Sequence, residues 1–335
     1  MTRRMGIDAG RLYATAWRLA PKVPEPLLRG AFTAGADVAW ALRKGGVDQL
    51  ERNLERVAPG VERRDLRRLS RGGMRSYMRY FREAFTLSGA TPEQIRARMR
   101  VANREVVQPY LDEGRSVLMA LGHLGNWDLA GAWGTQNLAP VLTVAERLEP
   151  PSVFEEFLAF RESLGMTILA FGDDGVFRSL VRGAQEGGKL VPLLADRDLS
   201  AQGIEVDLFG ERVRVAAGPA ALSVMTGAPL FGTSLTYERL DGERRRAAGT
   251  PWGVVATFGP LVETDPALSR RERIAQASQR WVDFLGEEIR RRPEDWHMLQ
   301  KVFVSDLDPA RYARTVGPEA TAAPQAAAAT EGGAR

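Results

Sequence analysis

Cysteine is absent from the 335 residues. That excludes a disulfide framework, a thiolate zinc site and a cysteine nucleophile together. Histidine is nearly absent as well. There are two, His123 and His297, so any imidazole chemistry must fall on one of them. No His-Glu-x-x-His pair occurs, no acidic cluster accompanies either histidine, and Gly172-Asp-Asp-Gly175 lacks the Walker pattern. Neither a metal nor a cofactor is expected. The charge excess is small too, with 46 Lys+Arg against 42 Asp+Glu and a net charge of +4. Such a balance does not call for nucleic acid, but it suits an anionic membrane surface or a phosphorylated ligand. No secretory signal is read: Met1 to Gly6 is basic, but Asp8, Arg11 and Arg18 interrupt the apolar residues that follow. The longest uncharged run, Val215 to Tyr237, is broken by Gly218, Pro219, Gly227, Pro229 and Gly232. It reads as a buried helix, a turn and a strand rather than a membrane span.

What is present is an apolar content of 44%, enough for a sizeable core without staples. Residues 8–45 read as helical, with Leu12, Trp17, Leu27, Phe32, Val38 and Trp40 among Arg18, Lys22, Arg29, Arg43 and Lys44. This is the pattern of an interfacial helix, or of one packed on its own domain. Further helices are expected over 46–58, 63–88, 151–164, 174–186 and 270–292, and Thr91-Pro92-Glu93 reads as a helix start. Apolar runs at 116–121, 141–145, 189–195 and 229–236 read as buried strands. Their alternation with helices predicts an α/β fold: a mostly parallel central sheet flanked by helices, with an N-terminal helical segment. The division expected is 1–90 as a helical, membrane-associating segment packed on the core, 91–312 as the α/β core, and 313–335 as a disordered tail.

The most informative stretch is Gly122-His123-Leu-Gly-Asn-Trp-Asp128. An apolar strand ends at Gly122, and parallel sheets bind ligands at the carboxyl ends of their strands. Gly122 and Gly125 permit a sharp turn and leave room beside the imidazole. If Asp128 folds back from the next helix, its carboxylate can fix the His123 tautomer and leave the other ring nitrogen to take a proton from a hydroxyl. The alternative is a histidine closing a strand and an aspartate at a helix N-terminus. Asp196 and Arg197 end another apolar strand and should reach the same rim. Arg197 can fork a phosphate or carboxylate, or pair with Asp196, Asp198 or another rim acid. Glu205, between Ile204 and Val206, sits in a strand-like segment, facing either the imidazole or solvent. His297 is read as structural.

The His-x4-Asp motif after an apolar strand resembles that of glycerolipid-type acyltransferases. Its extended form looks like the bacterial branch containing the lipid A late acyltransferases. Asp196-Arg-Asp198-Leu with Gly203-Ile-Glu205-Val-Asp-Leu-Phe-Gly210, and Pro293-Glu-Asp-Trp-His297-Met, resemble two further blocks of that branch. The resemblance spans roughly 8–305. Within the branch these blocks look most like the phosphatidylinositol mannoside acyltransferases. The resemblance implies transfer of a palmitoyl group from acyl-CoA to a mannose hydroxyl of a mannosylated phosphatidylinositol, without an acyl-enzyme. It implies His123, Asp128 and Glu205 as catalytic residues, and Glu146 and Arg161 as part of a polar groove. Asp196, Arg197 and Asn126 complete the expected substrate contacts. The implied partners are palmitoyl-CoA, the glycolipid and a membrane surface, on the cytoplasmic face of the plasma membrane. The alternatives are a lipid A-type enzyme that uses acyl carrier protein and a non-catalytic lipid-binding protein.

Overall fold

The computed structural model describes residues 15–17, 19–198 and 202–316. Leu12, Arg18 and the expected tail beyond 316 lie outside the described residues. Three helices come first: α1 (Glu25–Ala41), α2 (Val47–Val57) and α3 (Arg63–Leu87). They are followed by α4 (Pro92–Arg98), β1 (Met99–Ala102), α5 (Gln108–Asp112), β2 (Val117–Leu121) and α6 (Trp127–Asn137). Then come β3 (Leu142–Ala145), α7 (Pro151–Ser163), β4 (Thr167–Ala170), α8 (Val176–Glu186) and β5 (Leu190–Leu194). The chain continues through the hairpin β6 (Ile204–Leu208) and β7 (Glu211–Val215), then α9 (Gly218–Thr226) and β8 (Leu230–Arg239). It closes with α10 (Gly242–Ala248), β9 (Trp252–Leu261), α11 (Arg270–Arg291) and α12 (Pro309–Val316).

The main sheet runs β1-β9-β8-β2-β5. Every neighbouring pair in it is parallel except β8 with β9. The parallel ribbon β3-β4 continues it past β5 through the Val141–Leu190 bridge and a hydrogen bond from Thr143 Oγ1 to the Pro192 carbonyl. This is the mostly parallel α/β fold expected. The apolar-run reading passed over the edge strand β1, β4 and β7, and the antiparallel β9.

Alternation along the central strands divides the core into two layers. Leu118 and Ala120 of β2, with Val191 and Leu193 of β5, pack against Trp281, Leu285 and Ile289 of α11. Val117, Met119 and Leu121 face the other way, onto Leu129 and Ala132 of α6. Full burial of each large apolar side chain contributes about 1.5–3 kcal/mol. The Val215–Tyr237 run is, as read, a helix, a turn and a strand. Among the described residues no helix is long and apolar enough to cross a membrane.

The N-terminal region is not one helix. Pro21 and Pro24 break it, leaving a short turn at Ala20–Lys22 before α1. Trp17 packs edge-on against Phe85 and Phe157, and Ala36 joins Leu50, Leu54 and Met74 in a small core of its own. Leu19, Leu27, Val38 and Leu42 stay exposed, Leu27 by 67%. The segment therefore packs on its own domain along one face and leaves apolar side chains exposed on another.

One buried ionic knot ties α3 to the core. The Glu83 carboxylate meets Arg82 at 3.0 Å, Arg98 at 2.7 Å and the Asn126 amide at 2.8 Å. Removing one partner of such a knot strands the others without compensation, at about 3–5 kcal/mol.

Candidate active site

β2 and β5 are parallel neighbours in register, with Leu121 opposite Leu194. Two residues beyond each pair member stand His123 and Asp196, so the register itself brings them together. His123 Nδ1 lies 2.5 Å from Asp196 Oδ1, and the His123 amide donates to Asp196 Oδ2 at 2.9 Å. The Trp296 indole N–H reaches the same Oδ2 at 3.0 Å. Asp196 is almost wholly buried, whereas 23% of the His123 side chain is exposed. Burial alone would push the Asp196 carboxyl up, but the imidazole, the amide and the indole outweigh it and hold the group below the usual carboxylate range. With Nδ1 facing a carboxylate, the proton of a neutral imidazole sits on Nδ1 and the lone pair on Nε2.

Glycine at 122 is required for this approach. A Cβ there would stand 3.1 Å from Asp196 Oδ2 and 2.7 Å from Leu124 Cδ1. Gly125 has φ of 57°, and a Cβ would meet the Leu235 carbonyl oxygen at 2.5 Å. Any other residue would be strained in that turn. The expected sharp turn is present, and the room each glycine keeps is for Leu124, Leu285 and Asp196 at 122 and for Leu235 at 125.

The expected pairing of His123 with Asp128 is corrected here, since no hydrogen bond joins them. The turn through Gly125 carries the chain to Asn126, the N-cap of α6, and places Asp128 in that helix's first turn. From there its carboxylate faces α3 and α7. Arg161 Nε donates to Oδ1 at 2.7 Å and the Tyr80 hydroxyl to Oδ2 at 2.8 Å. Burial would depress the Arg161 guanidinium, but Asp128 overrides this and raises it further above its ordinary value. Burial, helped by the Asp128 charge, pushes the Tyr80 phenol far up, so it stays a neutral donor. Asn126 is wholly buried, capping Leu129 N at 2.9 Å with Oδ1 and meeting Glu83 with Nδ2, so it positions the helix rather than touching substrate.

Glu205 also departs from expectation. It lies on β6 with its carboxylate turned to Tyr312 of α12 at 2.5 Å and Arg214 of β7 at 3.4 Å, away from the imidazole. Glu146 and Arg197 pair with each other at the strand ends, and Arg197 also meets Gln300. Arg197 therefore follows the reading in which it pairs with a rim acid. Asp196 is not at a substrate-facing position but behind the histidine.

Beside the site an apolar cavity runs between α6 and the sheet. Trp127 lines it and meets the His123 ring edge to face at 5.6 Å between centroids. Met119, Leu121, Leu138, Met166 and Phe258 form its walls, and Asp128 and Arg161 are the charged residues on it. Gly131 and Gly134 face it from α6. The span from Trp127 to Leu138 along the helix is roughly 16 Å at about 1.5 Å per residue.

Sequence reasoning missed Tyr80 and Trp296. Tyr80 is contributed by α3, packs on Trp127 with centroids 4.1 Å apart, and holds Asp128. The Asp295–His297 segment runs alongside the motif: Leu124 bridges Trp296, the Gly125 amide donates to the Asp295 carbonyl at 3.1 Å, and the His297 amide to that of His123 at 2.7 Å. The imidazole of His297 is buried, with Nε2 at 3.1 Å from Ser76 Oγ. Burial, with Arg79 and His123 nearby, brings its pKa down to about 3. It is a neutral structural ring. No group of three or more His, Asp or Glu residues suited to a metal occurs among the described residues.

Residues 3–305 match the family described as bacterial lipid A biosynthesis acyltransferase. A phosphatidylinositol mannoside acyltransferase of Mycolicibacterium smegmatis is 38% identical over 306 residues, covering 90% of this chain and 93% of that one. The protein of the same name from Mycobacterium tuberculosis is 34% identical over 307 residues, 90% of each. Among solved structures, a 1-acyl-sn-glycerophosphate acyltransferase from Thermotoga maritima has 16% identity and a TM-score of 0.32, covering 79% of this chain and 97% of that one. That likeness is too distant to bear on the site.

The neutral His297 has a consequence for acid stability. Its ring binds a proton in the unfolded chain below about 6.5 but in the folded chain only near 3. Between those values the unfolded state takes up more protons, so stability falls as pH drops through that window. In urea unfolding at pH 7 and pH 4.5, His297→Gln should lose less stability between the two pH values than the parent protein. An equal loss in both would show that His297 is not the titrating group.

Proposed function

The chain belongs to the bacterial lipid A biosynthesis acyltransferase family and is an acyltransferase, and from that premise we propose that it moves a palmitoyl group from acyl-CoA to a mannose hydroxyl of a phosphatidylinositol mannoside. The observation that carries the mechanism is the 2.5 Å contact of His123 Nδ1 with the buried Asp196, which leaves Nε2 as the outward base. Nε2 takes the proton of the acceptor hydroxyl as its oxygen attacks the thioester carbonyl. The C–S bond then breaks, and the imidazolium returns the proton to the leaving thiolate. The products are the ester and free CoA thiol. Asp196 keeps Nδ1–H in place and balances the transient positive charge. No acyl-enzyme forms, since the attacking oxygen is the acceptor's own.

The apolar cavity beside Trp127 supports the acyl chain of the donor. Arg161, held by Asp128 at its head, marks the end at which the thioester carbonyl would lie. The rim pair Glu146–Arg197 borders the side open to the polar acceptor. Glu205, turned to Tyr312 and Arg214, has no part in the proton transfer. The exposed Leu27, Val38 and Leu42 with Lys22, Arg29 and Lys44 near them support peripheral attachment to the cytoplasmic face of an anionic membrane.

Three measurements test this reading. With palmitoyl-CoA and mannosylated phosphatidylinositol, His123→Ala should lower kcat by about 10²–10⁴-fold, and Asp196→Asn should approach it. A His123→Ala enzyme at the parent rate would sink the general-base assignment, and product mass spectra showing another acceptor would sink the substrate. Gly134→Leu should fill the deep part of the cavity, since a Cβ at 134 already meets Leu190 Cδ1 at 3.3 Å. Given mixed acyl-CoAs it should turn over shorter chains preferentially; an unchanged product spectrum would place the acyl chain elsewhere. Flotation with anionic liposomes should carry the protein upward, and Leu27→Glu with Leu42→Glu should leave it at the bottom. Equal flotation of the double variant would remove α1 from the membrane contact.

A further inference from the structure

The C-terminal block Asp295-Trp296-His297 has no place in the proton transfer just described, yet it lies along the motif loop. We propose that Trp296 is a positioning residue for the reaction: its indole N–H fixes the Asp196 carboxylate so that one oxygen faces the imidazole of His123. This rests on His123 acting as the base.

The geometry assigns each oxygen of Asp196 its own task. Oδ2 receives two N–H groups, the His123 amide at 2.9 Å and the Trp296 indole at 3.0 Å. Oδ1 is left to His123 Nδ1 at 2.5 Å. Two donors on one oxygen define the carboxylate plane, so Oδ1 cannot swing away from the ring. With only the backbone amide on Oδ2, rotation about the Cβ–Cγ bond would trade the imidazole contact for others. The buried oxygen would also lack one of its donors.

The indole is well anchored to do this. Trp296 has no exposed surface and meets Phe209 edge to face. Its backbone bridges Leu124, while the flanking residues bind the loop on either side, through the Asp295 carbonyl and the His297 amide. The tryptophan is therefore fixed to the same loop whose histidine it serves, and a shift of one moves the other. The charged and titratable groups around the pair do not substitute for the indole. His297 is a buried neutral ring, Arg79 on α3 stacks over Trp252 and Tyr237, and Asp295 is taken up by Ser76 Oγ and the Tyr237 amide.

The sign of the effect follows from the charge on the carboxylate. Losing a donor makes Asp196 more basic, and a more basic carboxylate holds the imidazolium more tightly. Both changes keep a proton on the pair to higher pH.

The test replaces the N–H without changing the shape. Trp296 is exchanged for 3-benzothienylalanine, in which sulfur stands where the indole N–H was, alongside Trp296→Phe in the full-length protein. Steady-state rates are measured with palmitoyl-CoA and mannosylated phosphatidylinositol across pH. The expected result is a kcat lower by on the order of ten- to a hundredfold, an unchanged KM for palmitoyl-CoA, and an acid limb of kcat moved to higher pH. Parent-like kcat and an unmoved limb in the benzothienyl protein overturn the proposal, whether or not the phenylalanine variant folds. A raised KM with kcat and limb unchanged overturns it as well. His123→Ala measured in parallel separates the two claims. If that variant is inactive while the benzothienyl protein is parent-like, only the role of Trp296 fails; if it is fully active, the general-base reading fails first.

Discussion

A negative charge kept out of water governs the centre of this molecule. The Asp196 carboxylate is buried at the end of a parallel strand, and an unpaired charge in such a place is very costly. It is tolerated because an imidazole, a backbone amide and an indole converge on it. Each donor comes from a different stretch of chain or a different atom type, so the carboxylate acts as a meeting point. The loop after β2, the end of β5 and the segment after α11 must all be in place before the charge is satisfied. The three segments are therefore tied together through one buried carboxylate.

A second carboxylate, Asp128, is satisfied separately and has a different role. Arg161 from α7 and Tyr80 from α3 close on it, and Asp128 and Arg161 line the apolar cavity. The two aspartates thus divide the work that a single His–Asp pairing would combine. One holds the His123 ring through Nδ1. The other anchors a cation and a hydroxyl beside the apolar cavity. Neutral His297 stacks near Tyr77, Tyr80 and Trp127, joining the two clusters through packing rather than charge.

How much of this could be read in the sequence depended on the range of the interaction. Helix α11 was visible from its stripe, and Ser269 with Glu272 closes a capping box at its start. β2 was visible as an apolar run, and the turn through Gly122 and Gly125 as a place for chemistry. These signals are local. The partner of His123 was not visible because it is set by which strands are neighbours. β5 lies next to β2, and nothing in the residues between 128 and 189 announces that adjacency. A carboxylate five residues away was the nearest in sequence, but the helix carried it to the far side of the turn. Glu205 was legible as a strand residue, but the choice between its two faces depended on Arg214 and Tyr312, nine and 107 residues on. Arg197, expected at the strand-end rim, pairs there with Glu146, while Arg161 pairs instead with the buried Asp128, a choice set by side-chain reach.

The helix α3 carries the remaining implication. It contributes Tyr80 to the Asp128 cluster, Ser76 to His297, and Glu83 to the cap of α6. The same N-terminal region presents the exposed Leu27 and Val38 of α1 and Leu42 just beyond it. Its two faces therefore cannot be dissected by shortening the chain. A truncation that removed the first helices to aid purification would also remove Tyr80, Ser76 and Glu83 from these contacts. A better-behaved enzyme has to be sought by altering individual outward side chains on α1, with the backbone of the first ninety residues left whole.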